Sequence, residues 1–279
     1  MVVAVETADK GGLLLFFQLS TWGLGLILFA VVLGTTAVGL VLGRSMRERS
    51  EGLRDSLAVL QAALLGVVGL ILAFGLALAV GRYESRRVAV VEEANAIGTT
   101  YLRAQTLAEP VRTDSLKLLA RYTDTSIRLS RSVPQTAAER QAIADGQQLQ
   151  RQLWALAGRA LDAAPTASAP RLYVESLNQM IDMQTVRASG LNNRIPGAVL
   201  ALEVASAAIA LGLLAFHLAI LGRGVLTVLL AAALITLLLL VTFDLDRPTR
   251  GLIRIPDTPL TDVRASMALP PAANGPSNP

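Results

Sequence analysis

Cysteine is absent from this 279-residue sequence, and histidine occurs once, at His217. The first absence excludes disulfides, thiol nucleophiles and cysteine-ligated metals. The second leaves no histidine pair for a metal and no serine–histidine arrangement for acyl transfer. A glycine-rich phosphate loop is also missing. Charge is scarce: charged residues make up 16% of the chain, against roughly 25% in ordinary soluble domains. Lysine is rarer still, since only Lys10 and Lys117 accompany 23 arginines. The basic residues are spread along the chain, without the aromatic-interleaved patch of a nucleic-acid binder. These shortages argue against an enzyme and against nucleic acid as a partner, and they give no reason to expect a cofactor.

What is abundant is apolar surface. Hydrophobic residues make up 53% of the chain and the mean hydropathy is +0.52. A bilayer needs about 20 consecutive apolar residues for a helical crossing. Four stretches qualify: Trp22–Leu42, Ala58–Gly81, Ala198–Leu221 and Val225–Phe243. Each is nearly free of charge, so the partner of these segments is a lipid bilayer. No alternating strand pattern competes anywhere. The expected class is therefore all-α: a polytopic membrane protein of four transmembrane helices, with a helical insert between the second and third.

The second span leads without proline from Ala58 to Glu109. One helix of about fifty residues would be roughly 75 Å long, oily in its first half and polar in its second. Glu109-Pro110 is expected to end it, because proline disfavours helical geometry in the residue before it. Ala58, Ala62 and Gly66 share a face suited to tight packing on another helix. Gly39 and Gly43 form a GxxxG pair of low weight in so glycine-rich a run. Beyond Pro110 a helix should carry Leu118, Leu119, Tyr122 and Leu129. Thr136 and Glu139 have capping-box spacing, so another should start there, with Ile143, Leu149, Leu153, Leu156 and Ala160 inward. A last insert helix, from about Arg171 to Asn192, should face Leu172, Leu177, Met180 and Ile181 inward.

This divides the chain into an interfacial segment (1–21), spans one and two (22–81), the insert (82–195), spans three and four (196–243), a post-membrane segment (244–269) and a disordered tail (270–279). Met1–Gly12 lacks the basic start of a signal peptide, so Leu13–Leu42 is expected to remain, with Leu13–Ser20 at the interface and Trp22 as an aromatic anchor. The very short Gly222-Arg223-Gly224 turn makes the last two spans an antiparallel hairpin. Four spans put the insert and both termini on one side. That side has nine basic residues near the membrane and the other has five, which favours a cytoplasmic insert, although the first span alone argues the reverse.

Several polar residues invite a role. Glu92, Glu93 and Asn95 lie just past the second span and, as a ring in an oligomer, would attract cations into a vestibule. The plainer reading is support from Arg86, Arg87 and Arg103 nearby in sequence. Asp244 and Asp246 follow the last span; two carboxylates are too few for a calcium cage, and Asp246 is expected to pair with Arg247 or cap a helix. Glu203 lies inside the third span, where an ionisable residue is a functional candidate or snorkels to the interface. His217 is expected to be interfacial.

Gly81-Arg-Tyr-Glu-Ser-Arg-Arg, then Val91-Glu-Glu-Ala-Asn-Ala-Ile-Gly and Tyr101-Leu-Arg, resembles the bacterial bestrophin-like membrane family, formerly a domain of unknown function. Leu107-Ala-Glu-Pro, Leu153-Trp154, Leu177-Asn178, Asn193-Arg194-Ile-Pro and Asp244-Leu-Asp-Arg-Pro-Thr-Arg extend the likeness over about Leu19 to Arg264. The resemblance implies two spans, a cytosolic helical insert and two more spans, in the inner (plasma) membrane of a bacterium. It also implies a homo-oligomer, pentameric in bestrophins, that passes inorganic ions, anions or cations, through a neck lined by the second span. Mapped by order, Leu70, Phe74 and Leu78 are the neck candidates; spaced by four, they share one helix face, and the plainer reading is that they pack against other helices. The competing expectation is a non-conducting membrane scaffold or sensor whose cytoplasmic helices bind a partner.

Overall fold

The computed structural model describes residues 20–47, 54–222, 224–247, 249 and 251–272. The expectations for the 13–19 stretch, Arg49 in the first connection, Arg223, Arg250 and the tail beyond 272 lie outside the described residues. Eight helices and no strand are present among the described residues. They are α1 (Thr21–Ser45), α2 (Arg54–Ala104), α3 (Val111–Arg131), α4 (Ala137–Ala163), α5 (Ser168–Asn192), α6 (Gly197–Ile220), α7 (Val225–Leu245) and α8 (Thr258–Ser266). The residues fall into two compact units, 1–83 with 194–254 and 84–193 with 255–279.

The first unit holds α1, the leading part of α2, α6 and α7. All four helices contain segments long and apolar enough to cross a membrane. Ser20 caps α1, its hydroxyl accepting from Gly23 N at 3.0 Å. α1 packs most closely on α6, and glycine is the reason. The missing Cβ of Gly39 leaves room for the Gly212 carbonyl, and that of Gly43 for the Phe216 carbonyl and Ala219 Cβ. The GxxxG pair therefore sets a close helix approach. Val68 and Leu72 of α2 pack with Leu24 and Leu28 of α1, Ala207 and Ala210 of α6, and Leu239 and Phe243 of α7. Between α6 and α7 the backbone turns through positive φ at Gly222 (69°) and Gly224 (93°), where a side chain would be strained.

The second unit holds the remainder of α2 with α3, α4, α5 and α8. Ile97, Leu119, Tyr122, Leu153, Tyr173, Leu177, Met180 and Leu260 form its buried core. Each large side chain removed from water contributes roughly 1.5–3 kcal/mol. α2 stops at Ala104, short of Glu109. The amides of Thr106 and Leu107 turn back to Arg103 O (3.1 Å) and Ala104 O (3.2 Å), and the Thr106 hydroxyl also donates to Arg103 O at 2.7 Å. The tightened end buries Leu107, so core packing and not the proline ends this helix. α4 starts as the capping box requires, with Glu139 N donating to Thr136 Oγ1 at 3.4 Å. The Glu139 carboxylate reaches one residue further back than the motif prescribes, to Gln135 N at 2.6 Å.

α5 corrects one expectation. Leu172 is exposed, while Tyr173 is buried. The inward row is Tyr173, Leu177, Met180, Gln184, Arg187 and Leu191, spaced 4, 3, 4, 3 and 4. Leu177 and Met180 are buried as expected and Ile181 packs against the core, but two members of the row are polar, so apolar residues alone show only part of the face. α8 was not foreseen. It packs against α3 through buried Leu260, and is held by Arg264 to Asp124 (2.7 Å) and by Arg131 to Asp257 (2.8 Å).

Candidate functional site

The oily half of α2 has two faces. Val68, Leu72, Gly75 and Ala79, spaced 4, 3 and 4, are buried. Leu70, Phe74 and Leu78 lie elsewhere around the helix and are 57%, 62% and 47% exposed. No contact inside the described chain consumes that row. Ala58, Ala62 and Gly66 are likewise exposed, and nothing lies within 4 Å of the Cβ position of Gly66. The tight packing expected of that small-residue face does not occur within the described part of this chain.

Glu203 occupies the space that Gly75 leaves open. Its carboxylate lies against the Gly75 backbone, closer than a Cβ there would allow. Glu203 is fully buried, and neither carboxylate oxygen has a hydrogen-bond partner among the described residues. It points into the bundle and does not snorkel. His217 is also buried, so its side chain packs inside the helices even though it sits in the last turn of α6.

Past the apolar segment, α2 presents three polar residues, and they do not share a fate. Glu92 and Asn95 are exposed. Glu93 is fully buried and pairs with Arg187 of α5. Ser126 Oγ donates to Glu93 Oε1 at 2.8 Å, and Arg187 Nη2 donates to Ser126 O at 3.0 Å and to Ser130 Oγ. Beside this pair, Gln150 donates to Tyr122 OH at 3.4 Å and to Gln184 Oε1. Burial, with the Glu93 carboxylate adding to it, pushes the Tyr122 phenol well above its ordinary value. Glu93 is thus the centre of a tertiary network, unlike either sequence reading of it.

The segment after the last span is equally engaged. Asp244 accepts from Leu252 N and Ile253 N, both at 2.9 Å, and so folds the chain back on the end of α7. Asp246, at the C-cap of α7, accepts from Ile195 N at 3.3 Å, just before α6 begins. Arg247 is fully buried. Arg86 on α2 works similarly at the end of α5, donating to Gly190 O (3.0 Å) and Asn193 O (2.6 Å). Sequence reasoning named Arg86 only as local support for Glu92 and Glu93, and it did not single out Arg187 or Gly75. Arginine at the phase of a buried row was the one available signal. No group of three or more metal-ligating side chains occurs among the described residues.

Four helices of this length and hydropathy, packed around a buried apolar core and leaving an apolar row bare, define a polytopic α-helical membrane protein. The sequence matches the Bestrophin-like domain over residues 26–260, and the chain belongs to that family. Its fold is also that of solved bacterial bestrophin homologues from Klebsiella pneumoniae. One such structure superposes with a TM-score of 0.62 at 12% identity, covering 85% of this chain and 97% of the other. Two point mutants give 0.63 at 12% identity, with the same coverage, and 0.58 at 16%, covering 85% and 95%. At these identities the likeness is one of fold. A comparison with curated proteins finds no match.

Proposed function

We propose that the protein is a homo-oligomeric ion channel, pentameric and anion-conducting as the bestrophin plan suggests, with α2 lining an apolar neck. The supporting observation is the row Leu70, Phe74 and Leu78: large, apolar, four residues apart on one helix and about half exposed in the single chain. Repeated around an axis, such a row makes an oily constriction that gates by dewetting. Glu92 and Asn95 are the polar residues further along the same helix that remain available to an ion; Glu93 contributes to the helical core instead. The expected location is the bacterial inner membrane, with the insert and termini in the cytoplasm.

The test is current through planar bilayers containing the purified full chain. Wild type should give discrete single-channel openings. Phe74→Ala, and more so the triple Leu70→Ala/Phe74→Ala/Leu78→Ala, should raise conductance several-fold by widening and wetting the neck. Incorporated wild-type protein that passes no current would remove the channel reading and leave that of a scaffold or sensor.

A further inference from the structure

Side by side, α1 and α6 enclose an apolar groove of about 660 Å³, lined among others by Gly34, Val38, Leu42, Ala208, Gly212 and Phe216. That volume is in the range of small-molecule sites, roughly 300–1,000 Å³. We propose that the groove binds an anionic phospholipid, with one acyl chain along it and the headgroup phosphate at Arg44 and Arg47. The contacts of Gly39 with Gly212 and of Gly43 with Phe216 advance together along both sequences. The two helices are therefore parallel, and their C-terminal ends lie at the same level.

The groove's position fits one leaflet. On α1 its lining runs from Ala30 to Leu42, about 18 Å at 1.5 Å per residue, beginning mid-helix and ending one turn before Ser45. Half of a hydrocarbon core of about 30 Å is about 15 Å. Its polar content is already spent: the Thr35 hydroxyl donates to Val31 O (3.1 Å) and Val32 O (3.0 Å). Nothing lies within 4 Å of the Cβ position of Gly34, so the groove is open at its middle.

The mouth carries the complementary charge. Arg44 is exposed in the last turn of α1, and Arg47 lies with its guanidinium over Gly222, Nη2 2.6 Å from the place of a Cβ. Among residues 44–47, 221, 222 and 224 the charged side chains are Arg44 and Arg47, and the connection from 44 to 57 carries four arginines against Glu48, Glu51 and Asp55. The C-termini of α1 and α6 carry partial negative charge there and the N-terminus of α7 partial positive charge, so the two arginines supply the full positive charges beside the groove. Two arginines near an anionic headgroup are worth roughly a tenfold to thirtyfold preference.

This inference does not rest on the channel reading, since binding is read without current. The test is native mass spectrometry of the purified full chain titrated with phosphatidylglycerol or phosphatidylcholine. Wild type should hold one phosphatidylglycerol per subunit with about the preference given above. Arg44→Gln/Arg47→Gln should abolish the preference while leaving both lipids bound weakly. Gly34→Leu, whose Cβ has open space around it, should partly fill the groove and lower retention of both lipids several-fold at unchanged subunit number. Equal retention of the two lipids by wild type, or unchanged binding in Gly34→Leu, would overturn the proposal. A change of subunit number in Gly34→Leu with lipid binding intact would instead make the groove an interface between copies. The arginine pair is exposed, so that arm stands whether or not the glycine variant folds.

Discussion

At Gly75 a missing side chain on one helix makes room for a long one on the next. The Glu203 carboxyl rests where a Cβ would be, without a hydrogen-bond partner among the described residues. Gly75→Ala forces that carboxyl aside, and overpacking of this kind costs about 1–3 kcal/mol. The melting temperature of the detergent-solubilised protein should fall accordingly. Glu203→Ala in the same chain should recover most of the loss, as expected for residues in direct contact. Equal destabilisation in the single and the double variant would show that the contact is not the cause. Residue identity alone could not reveal this pairing. Sequence reading marks a glutamate inside an apolar run, but a glycine 128 positions earlier carries no mark that it is the partner.

Among the elements, α5 shows how far pattern reading reaches. Its existence, its end near Asn192 and the inward Leu177, Met180 and Ile181 follow from the sequence, whereas the exposure of Leu172 and the polar part of the inward face do not. The face is completed by Gln184 and Arg187, which are buried because Gln150, Glu93 and Ser126 meet them there. Breaking a buried pair by removing one partner costs about 3–5 kcal/mol, because the other charge is left uncompensated. Arg187→Ala or Glu93→Ala should therefore lower stability by that order. Joint replacement by apolar residues of similar volume should cost far less. Thermal unfolding followed by circular dichroism distinguishes the two outcomes, and a loss below about 1 kcal/mol for either single variant would mean that the pair is solvated. α1 tells the opposite story, for the GxxxG pair was given little weight and proves to set the closest helix contact in its unit.

For the whole molecule, the faces left bare in one chain are the informative ones. Gly66 meets nothing within 4 Å, and its neighbours on that face, Ala58 and Ala62, are exposed. In a ring of copies this face is the natural place for a neighbouring helix to approach closely. Gly66→Leu should then reduce the subunit number measured by light scattering in detergent, with helix content and monomer stability unchanged. An unaltered assembly would assign the face to lipid.

Four nearly charge-free runs, each long enough for a bilayer, and helical periodicity between them determined the class of this protein without coordinates. Those signals are local, set by hydropathy and by residue spacing along one helix, and a linear chain displays both. The motif residues Glu93, Asp244 and Asp246 were visible too, but their partners were not. Which carboxylate faces Arg187, which accepts from the backbone after α7, and which stands alone beside Gly75 was decided only by tertiary packing. Glu93, Asp246 and Glu203 are defined by what segments dozens of residues away bring to them, while Asp244 meets its partners only after the chain folds back eight and nine residues on.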